Sequence, residues 1–297
     1  MAAAAPASLV SLRASGQLAR RQFISRLSRY VFLGATLLAI GVLAFLVFDI
    51  VKQGGGRLSW DFLTTYPSRF AERAGVRAGL LGTIWVVGTT IVLTIPVGIG
   101  TAIWIEEFAP RNRLTQLVRL NIANLAGVPS IIYGILGLAF FVRFTELGST
   151  ILAAALTLSL MILPIMIITA QEAVRQVPPS IRDGSLALGA TRLQTVWHHV
   201  LPGAVPGMAT GAILAISRAA GETAALIMIG AAAFAAFDPT SINDKFSLLP
   251  IQIYGWIIAP RGQGFEANAA AGIIVMMMGI LTLNLTAAII RERFRRP

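Results

Sequence analysis

The sequence predicts an all-α polytopic membrane protein with six transmembrane helices. Three observations predict it. Of the 297 residues 56% are hydrophobic and 12% charged, about half the charged share of a soluble domain, so too few charges exist to cover a water-soluble surface. Apolar stretches near the ~20 residues that cross a bilayer core recur six times. The basic residues gather between those stretches and at the chain ends. Lys plus Arg is 24 against 13 Asp plus Glu, a net charge of +11, and Lys52 and Lys245 are the only lysines. In a soluble protein that excess suggests nucleic acid. Here its position argues for orientation signals and an anionic partner, with no nucleic acid.

The first span is Val31 to Val51. The second lies within Ala78 to Ile105 and holds Pro96. The third runs near Ile122 to Val142 around Pro129. The fourth is about Thr150 to Ala170 around Pro164. The fifth falls within Gly207 to Phe234, and the sixth is about Ala269 to Ile290. Prolines are tolerated inside spans because neighbouring helices satisfy the freed carbonyls.

Residues 1–30 form a basic arm with Arg13, Arg20, Arg21, Arg26 and Arg29 and no acid. The positive-inside rule places it in the cytoplasm. Six spans return the tail, 291–297, to the same side, and its four arginines against Glu292 agree. Loops 106–121 and 171–201 would be cytoplasmic. Residues 8–30 also have the character of a basic helix on the inner membrane lipid surface. The 21-residue apolar run ends in Phe48-Asp49-Ile50-Val51-Lys52, without small residues for cleavage, so the first helix is expected to stay. The outer loop 52–77 opposes the charge rule with Lys52, Arg57, Arg69, Arg73 and Arg77. We read it as a solvated loop whose last Arg snorkels at the next helix start, in preference to an anion lure.

Several chemistries are excluded. Without cysteine, disulfides, iron–sulfur clusters, thiolate zinc sites and thiol nucleophiles fall away. A phosphate-binding Walker loop needs Gly before its Lys, and the two lysines follow Val51 and Asp244. Any driving ATP must sit on another chain. His198 and His199 are adjacent and diverge on a helix, a poor metal pair. No cofactor, metal or catalytic group is expected in this chain, and Glu106-Glu107 reads as an interface marker at a span end.

Residues 171–202 are too polar to span. Pro178-Pro179 breaks the helix leaving the membrane. Ser180 to Asp183 fits one capping box and Thr191 to Gln194 a second, with Gly189 between them as a helix end. The prediction is helix, Gly turn, helix, closed by Leu201-Pro202: a docking handle in which Leu186 and Leu188 fill a partner's groove and Arg182 and Asp183 lie near the rim. The stretch resembles the EAA loop of ABC importer permeases. Asp183-Gly184-Ser185 stands where Glu-Ala-Ala is usual, Gly189 and Leu201-Pro202 follow at the family spacing, and His199 replaces an Ile.

The fifth span contains Ser217-Arg218-Ala219-Ala220-Gly221-Glu222-Thr223. Arg218 and Glu222 are four apart and would pair on one helix face. Charges at this depth cost about 2.5–3.5 kcal/mol on insertion scales. At ~100° per residue, Gly207, Gly211, Ala215, Arg218 and Glu222 share a stripe of small residues, which predicts a companion helix or subunit over the pair. The residues alone leave two readings open. In one the pair is a structural bridge. In the other Arg218 meets an anionic substrate, for which its planar fork suits phosphate, and Glu222 holds or releases it.

Arg-Ala-Ala-Gly-Glu-Thr at 218–223 and Asn124-Leu125-Ala126-Gly127-Val128-Pro129-Ser130-Ile131-Ile132-Tyr133-Gly134 resemble the permeases of phosphate ABC importers, PstA type. Ala225 stands where many members have Pro, so no proline enforces a bend there. The resemblance covers roughly 78–290, the expected permease core, and implies a type I ABC importer permease fold in a bacterial inner membrane. It implies a second permease of PstC type, an ATPase pair of PstB type holding ATP and magnesium, and an extracytoplasmic phosphate-binding protein of PstS type. It implies coupling through Asp183, Gly184, Ser185, Leu186, Gly189, Leu201 and Pro202. Arg218 and Glu222 then fall on the substrate path, with Asn124, Ser130 and Thr223 as further polar lining, unless those three only satisfy buried backbone. A permease for sulfate or molybdate, and a self-contained channel or secondary carrier, are the alternative functions. A secondary carrier would often show two related halves, and none is visible.

Overall fold

The computed structural model describes residues 16–231, 235–260 and 262–294. It divides between Ile50 and Val51 into two compact units. The first unit belongs to helix α1 (Gly16–Gly54), whose 39 residues join the described part of the basic arm to the first span without a break. Arm residues 8–15 and tail residues Arg295 and Arg296 lie outside the described residues.

The second unit is a bundle. Its long members are α3 (Arg77–Ile103), α6 (Ile151–Arg175), α9 (Leu201–Ala220) and α12 (Phe265–Phe294). Short helices α2 (Trp60–Thr64) and α11 (Leu249–Ile257) pack near the 52–77 loop. Among the described residues five helices are long and apolar enough to cross a membrane. A sixth crossing requires counting a bent pair, α4 (Arg113–Ala126) with α5 (Ser130–Gly137) and its π-helical extension to Phe144.

That pair corrects the third predicted span. Instead of one helix holding Pro129, the chain turns by 101° at residues 127–129. Gly127 caps α4, and Pro129 leads α5 as its N-cap, the boundary where a missing N–H costs no intrahelical bond. The predicted fifth span is also interrupted. α9 stops at Ala220, and α10 (Ala224–Ile229) starts after a three-residue break. Residues 232–234 at its expected end lie outside the described residues.

α6 is the central strut. Met166 fills the notch over Gly98 of α3. On its other side α9 runs antiparallel in strict register, with Gly203 over Val177, Gly207 over Ala173 and Gly211 over Thr169. A Cβ on Gly207 would lie 2.7 Å from that of Ala173. The small-residue stripe is therefore consumed inside the chain, where it lets two backbones approach.

The 52–77 loop is less solvated than expected. Arg57 donates to Asn268 Oδ1 at 2.8 Å and to the carbonyls of Ala71 and Glu72, and it lies over the Phe62 ring. Arg77 does not snorkel: it grips Asp238 and covers Tyr66. Two of the five basic side chains thus hold loops together, which accounts for part of that loop's positive charge without an anion.

Candidate functional site

Residues 171–202 form the predicted helix, turn and helix, with three changes. α7 (Pro179–Ala187) begins on Pro178 without a side-chain cap, so the Ser180 box is absent. Pro179 occupies the first turn, where its missing N–H has no intrahelical acceptor, and Ser180 is carried inside the helix. Gly189 has φ +86°. Its N–H reaches Leu186 O and that of Ala190 reaches Ser185 O, a Schellman ending that requires a left-handed residue. The second capping box is present: Thr191 Oγ1 accepts from Gln194 N and Gln194 Oε1 from Thr191 N. It opens α8 (Arg192–Thr195).

The second change is at Leu201-Pro202. These residues do not end a helix, because α8, a π turn at Val196–Val200 and α9 follow one another without interruption to Ala220. A wide π turn accommodates a following proline, since its irregular ladder already lacks a donor. The third change is Arg182. It is not a free rim residue. Its guanidinium donates to Glu107 Oε1 at 2.8 and 2.9 Å and to the carbonyls of Val174 and Val177.

The remaining handle residues divide by exposure. Asp183, Gly184 and Pro202 are exposed, Leu201 is half-buried, and Ser185 is buried with its hydroxyl 2.9 Å from Thr195 Oγ1. Ser185 fastens α7 to α8. Leu186 is partly exposed, and Leu188 at 91% exposure is the most open large apolar side chain of the segment.

Sequence reasoning read the acid pair at the end of α3 as an interface marker and missed its ion pairs. Glu106 accepts from Arg119 of α4 and Arg175 of α6, while Glu107 accepts from Arg182 of α7. Both carboxylates are at most 14% exposed. Three arginines, one each on α4, α6 and α7, opposite two adjacent acids were the available signal.

The two intramembrane motifs converge although they lie some 90 residues apart in sequence. α5 packs against α10, with Gly134 against the backbone of Ala225. Tyr133 stands beside Gly134 and donates to Leu125 O at 2.8 Å across the α4–α5 bend. Both helix breaks thus open on one locus.

At that locus the predicted Arg218–Glu222 pair is not made. α9 ends between them, so the four-residue spacing no longer follows a helix. Glu222 Oε1 instead accepts the Ala225 N–H at 3.3 Å and caps α10. The break forms without the family proline: Gly221 ends α9, and Thr223, at φ −121°, leads into α10. Arg218 is exposed, off the stripe that Gly207, Gly211 and Ala215 bury, and has no ion pair or hydrogen bond among the described residues. Asn124 is exposed too. Ser130, Glu222 and Thr223 are half-buried, and Thr223 Oγ1 makes only a 3.4 Å contact to Gly221 O.

A helical bundle of five apolar spans and a bent sixth pair, with an interrupted span, a helix-turn-helix segment and an exposed Arg on an apolar helix, has the architecture of a type I ABC importer permease. A crystal structure of a bacterial ABC transporter that imports the acidic polysaccharide alginate contains a chain of this fold: TM-score 0.63 at 17% identity, over 93% of this chain and all of that one. The chain belongs to the binding-protein-dependent transport system inner membrane component family, whose pattern matches residues 94–296. It is 33% identical to the probable ABC transporter permease protein YqgI of Bacillus subtilis over 90% of this chain and 95% of that protein. It is 29% identical to the phosphate transport system permease protein PstA 1 of Mycobacterium tuberculosis H37Rv, over 92% and 89%. Membership makes it a multi-pass membrane subunit of an ABC importer, a class that works with a partner permease, an ATPase and a binding protein.

Proposed function

We propose that this chain is one half of the translocation path of an ATP-driven importer of inorganic phosphate. The observation that carries the reading is Arg218: a permanent cation on an apolar helix, exposed on the chain surface and with no ion pair among the described residues. A charge at that depth requires a partner or water, and an anion held by a guanidinium fork supplies both charge and hydrogen bonds. Its place in the last turn of α9 stabilises the guanidinium itself, because a helix C-terminus carries partial negative charge. The PstA-named relatives support phosphate as that anion.

In this reading a PstC-type permease completes the path, PstB-type ATPases hold ATP and magnesium, and a PstS-type protein delivers phosphate. The termini and residues 171–202 face the cytoplasm. Residues 183–189 form the coupling handle, with Leu188 and Leu186 entering the ATPase. Nucleotide binding biases a two-state bundle through that handle. Asn124 lines the path with Arg218, and Ser130 and Thr223 lie at the two breaks. Glu222 shapes the path by capping α10.

The test is uptake of labelled phosphate by the reconstituted four-component complex, with and without ATP, against sulfate and molybdate as competitors. ATP-dependent uptake that only phosphate suppresses is expected. Preferential suppression by sulfate or molybdate would move the substrate to another oxyanion, and uptake by the chain alone would overturn the ABC reading.

A further inference from the structure

The acid pair at the end of α3 is outside the path and outside the exposed handle, yet it ties four elements together. α3 passes into a π turn, Trp104–Phe108, that carries Glu106 and Glu107. Adjacent side chains on a helix diverge by ~100°, so the two acids serve different neighbours. Glu106 takes Arg119 and Arg175, from α4 and α6. Glu107 takes only Arg182, on α7.

The Arg182 contact is the unusual one. A cleft of about 820 Å³ lies between the end of α3 and residues 179–196, lined by Glu107, Pro110, Arg111, Asp183, Leu186 and Arg192. Across it Arg182 joins Glu107 to the last turn of α6 and the residue beyond its cap, with Val174 O at 2.8 Å and Val177 O at 2.6 Å. The side chains are 21% and 14% exposed, so this is a desolvated, charge-assisted contact with geometric specificity.

We infer that Glu107–Arg182 is the joint through which movement of the coupling handle reaches α3, making Glu107 and Arg182 positioning residues for transport. An open cleft transmits little force; a multidentate guanidinium fixed on both sides transmits displacement of α7 to α3. α3 packs along α6 and α9, and α9 carries Arg218. Separating the joint therefore frees the handle from α3, which packs on the helix that bears the path charge, while leaving the continuous run from α8 into α9 and Leu188 and Leu186 in place. The inference rests on the ABC permease reading above and does not depend on the substrate being phosphate.

The test uses the whole reconstituted complex with Glu107→Gln, Arg182→Gln and the conservative Glu107→Asp. Because the chain has no native cysteine, Ser180→Cys, exposed on α7 away from the docking leucines, and Ile84→Cys can carry a pair of spin labels reporting the distance from α7 to α3. In the parent complex that distance is expected to stay unchanged between nucleotide-free and vanadate-trapped states. In Glu107→Gln and Arg182→Gln the ATPase should still copurify and hydrolyse ATP, uptake per ATP should fall about tenfold, the scale of a lost coupling energy, and the label distance should change with nucleotide. Glu107→Asp should retain most of the uptake per ATP. Unchanged uptake per ATP with an unchanged distance in Glu107→Gln overturns the joint, as does a proportionate loss of uptake, hydrolysis and bound ATPase, which would mark a purely structural contact. A parent complex that hydrolyses ATP but takes up no phosphate refutes the substrate instead, and the distances still decide the joint. Failure of any ATPase to bind the parent chain refutes the permease reading and the joint with it.

Discussion

Gly134 and Ala225 meet so closely that a Cβ on Gly134 would lie 2.6 Å from the Ala225 carbonyl oxygen and 2.7 Å from its Cα. Both obstructing atoms are backbone, so no rotamer change relieves the contact. This approach holds α5 on α10 and brings two helix breaks to one place. Gly134→Val should overpack it and cost about 1–3 kcal/mol. The checks are a lower unfolding temperature in detergent and a matching loss of uptake. A wild-type melting curve would mean that α5 and α10 do not pack this way.

Arg218→Ala should leave the complex assembled and its ATPase active while ATP-driven phosphate uptake falls to background. Arg218→Lys keeps the charge but loses the planar fork, so it should retain partial uptake with weakened anion selectivity. Both follow from a guanidinium that has no described intrachain partner to lose. Normal uptake by Arg218→Ala would refute its place on the path.

Gly189 has open space around it, so strain alone decides its replacement. At φ +86°, Gly189→Val forces an L side chain into the left-handed region at about 1–2 kcal/mol and breaks the Schellman ending. Copurification of the ATPase should weaken. Gly184→Ala is the control: it lies inside α7 with no neighbour within 4 Å, and Ala favours helix by up to about 1 kcal/mol, so docking should persist. Equal losses in both would mean that the segment tolerates no added atom for reasons other than its turn.

The contrast between these glycines shows which features were legible in the sequence. The Gly189 turn and the Thr191 box were, because local hydrogen-bond geometry ties each to two or three adjacent residues. The apolar runs gave the spans for the same reason. What the one-dimensional pattern could not carry were the breaks. Pro129 sits in an apolar run like Pro96 and Pro164, yet α3 and α6 continue through theirs while the chain bends at 127–129. The difference lies in the tertiary partner: Tyr133 bonds back across the bend, and Gly134 admits Ala225. Arg218 and Glu222 looked paired because the wheel assumed an unbroken helix. The Glu106 and Glu107 contacts span 13 to 75 positions in sequence, beyond any periodicity.

Reversing the charges at 218 and 222 gives the sharpest separation of the bridge from the break. Glu222 caps α10 through a carboxylate oxygen, and Arg has no acceptor with which to do so. Glu222→Arg should therefore cost about 0.5–2 kcal/mol, the value of a lost cap, while Glu222→Gln keeps an acceptor and should transport nearly as the parent does. Arg218→Glu replaces a cation that has no described ion pair with an anion that repels phosphate. The double variant Arg218→Glu with Glu222→Arg should then be as inactive as Arg218→Ala, measured as initial uptake rates at equal ATPase content. An intrahelical bridge would instead be restored by the exchange. Full transport in the double variant would show that the order of the charges is immaterial and would remove the anion-binding role from Arg218.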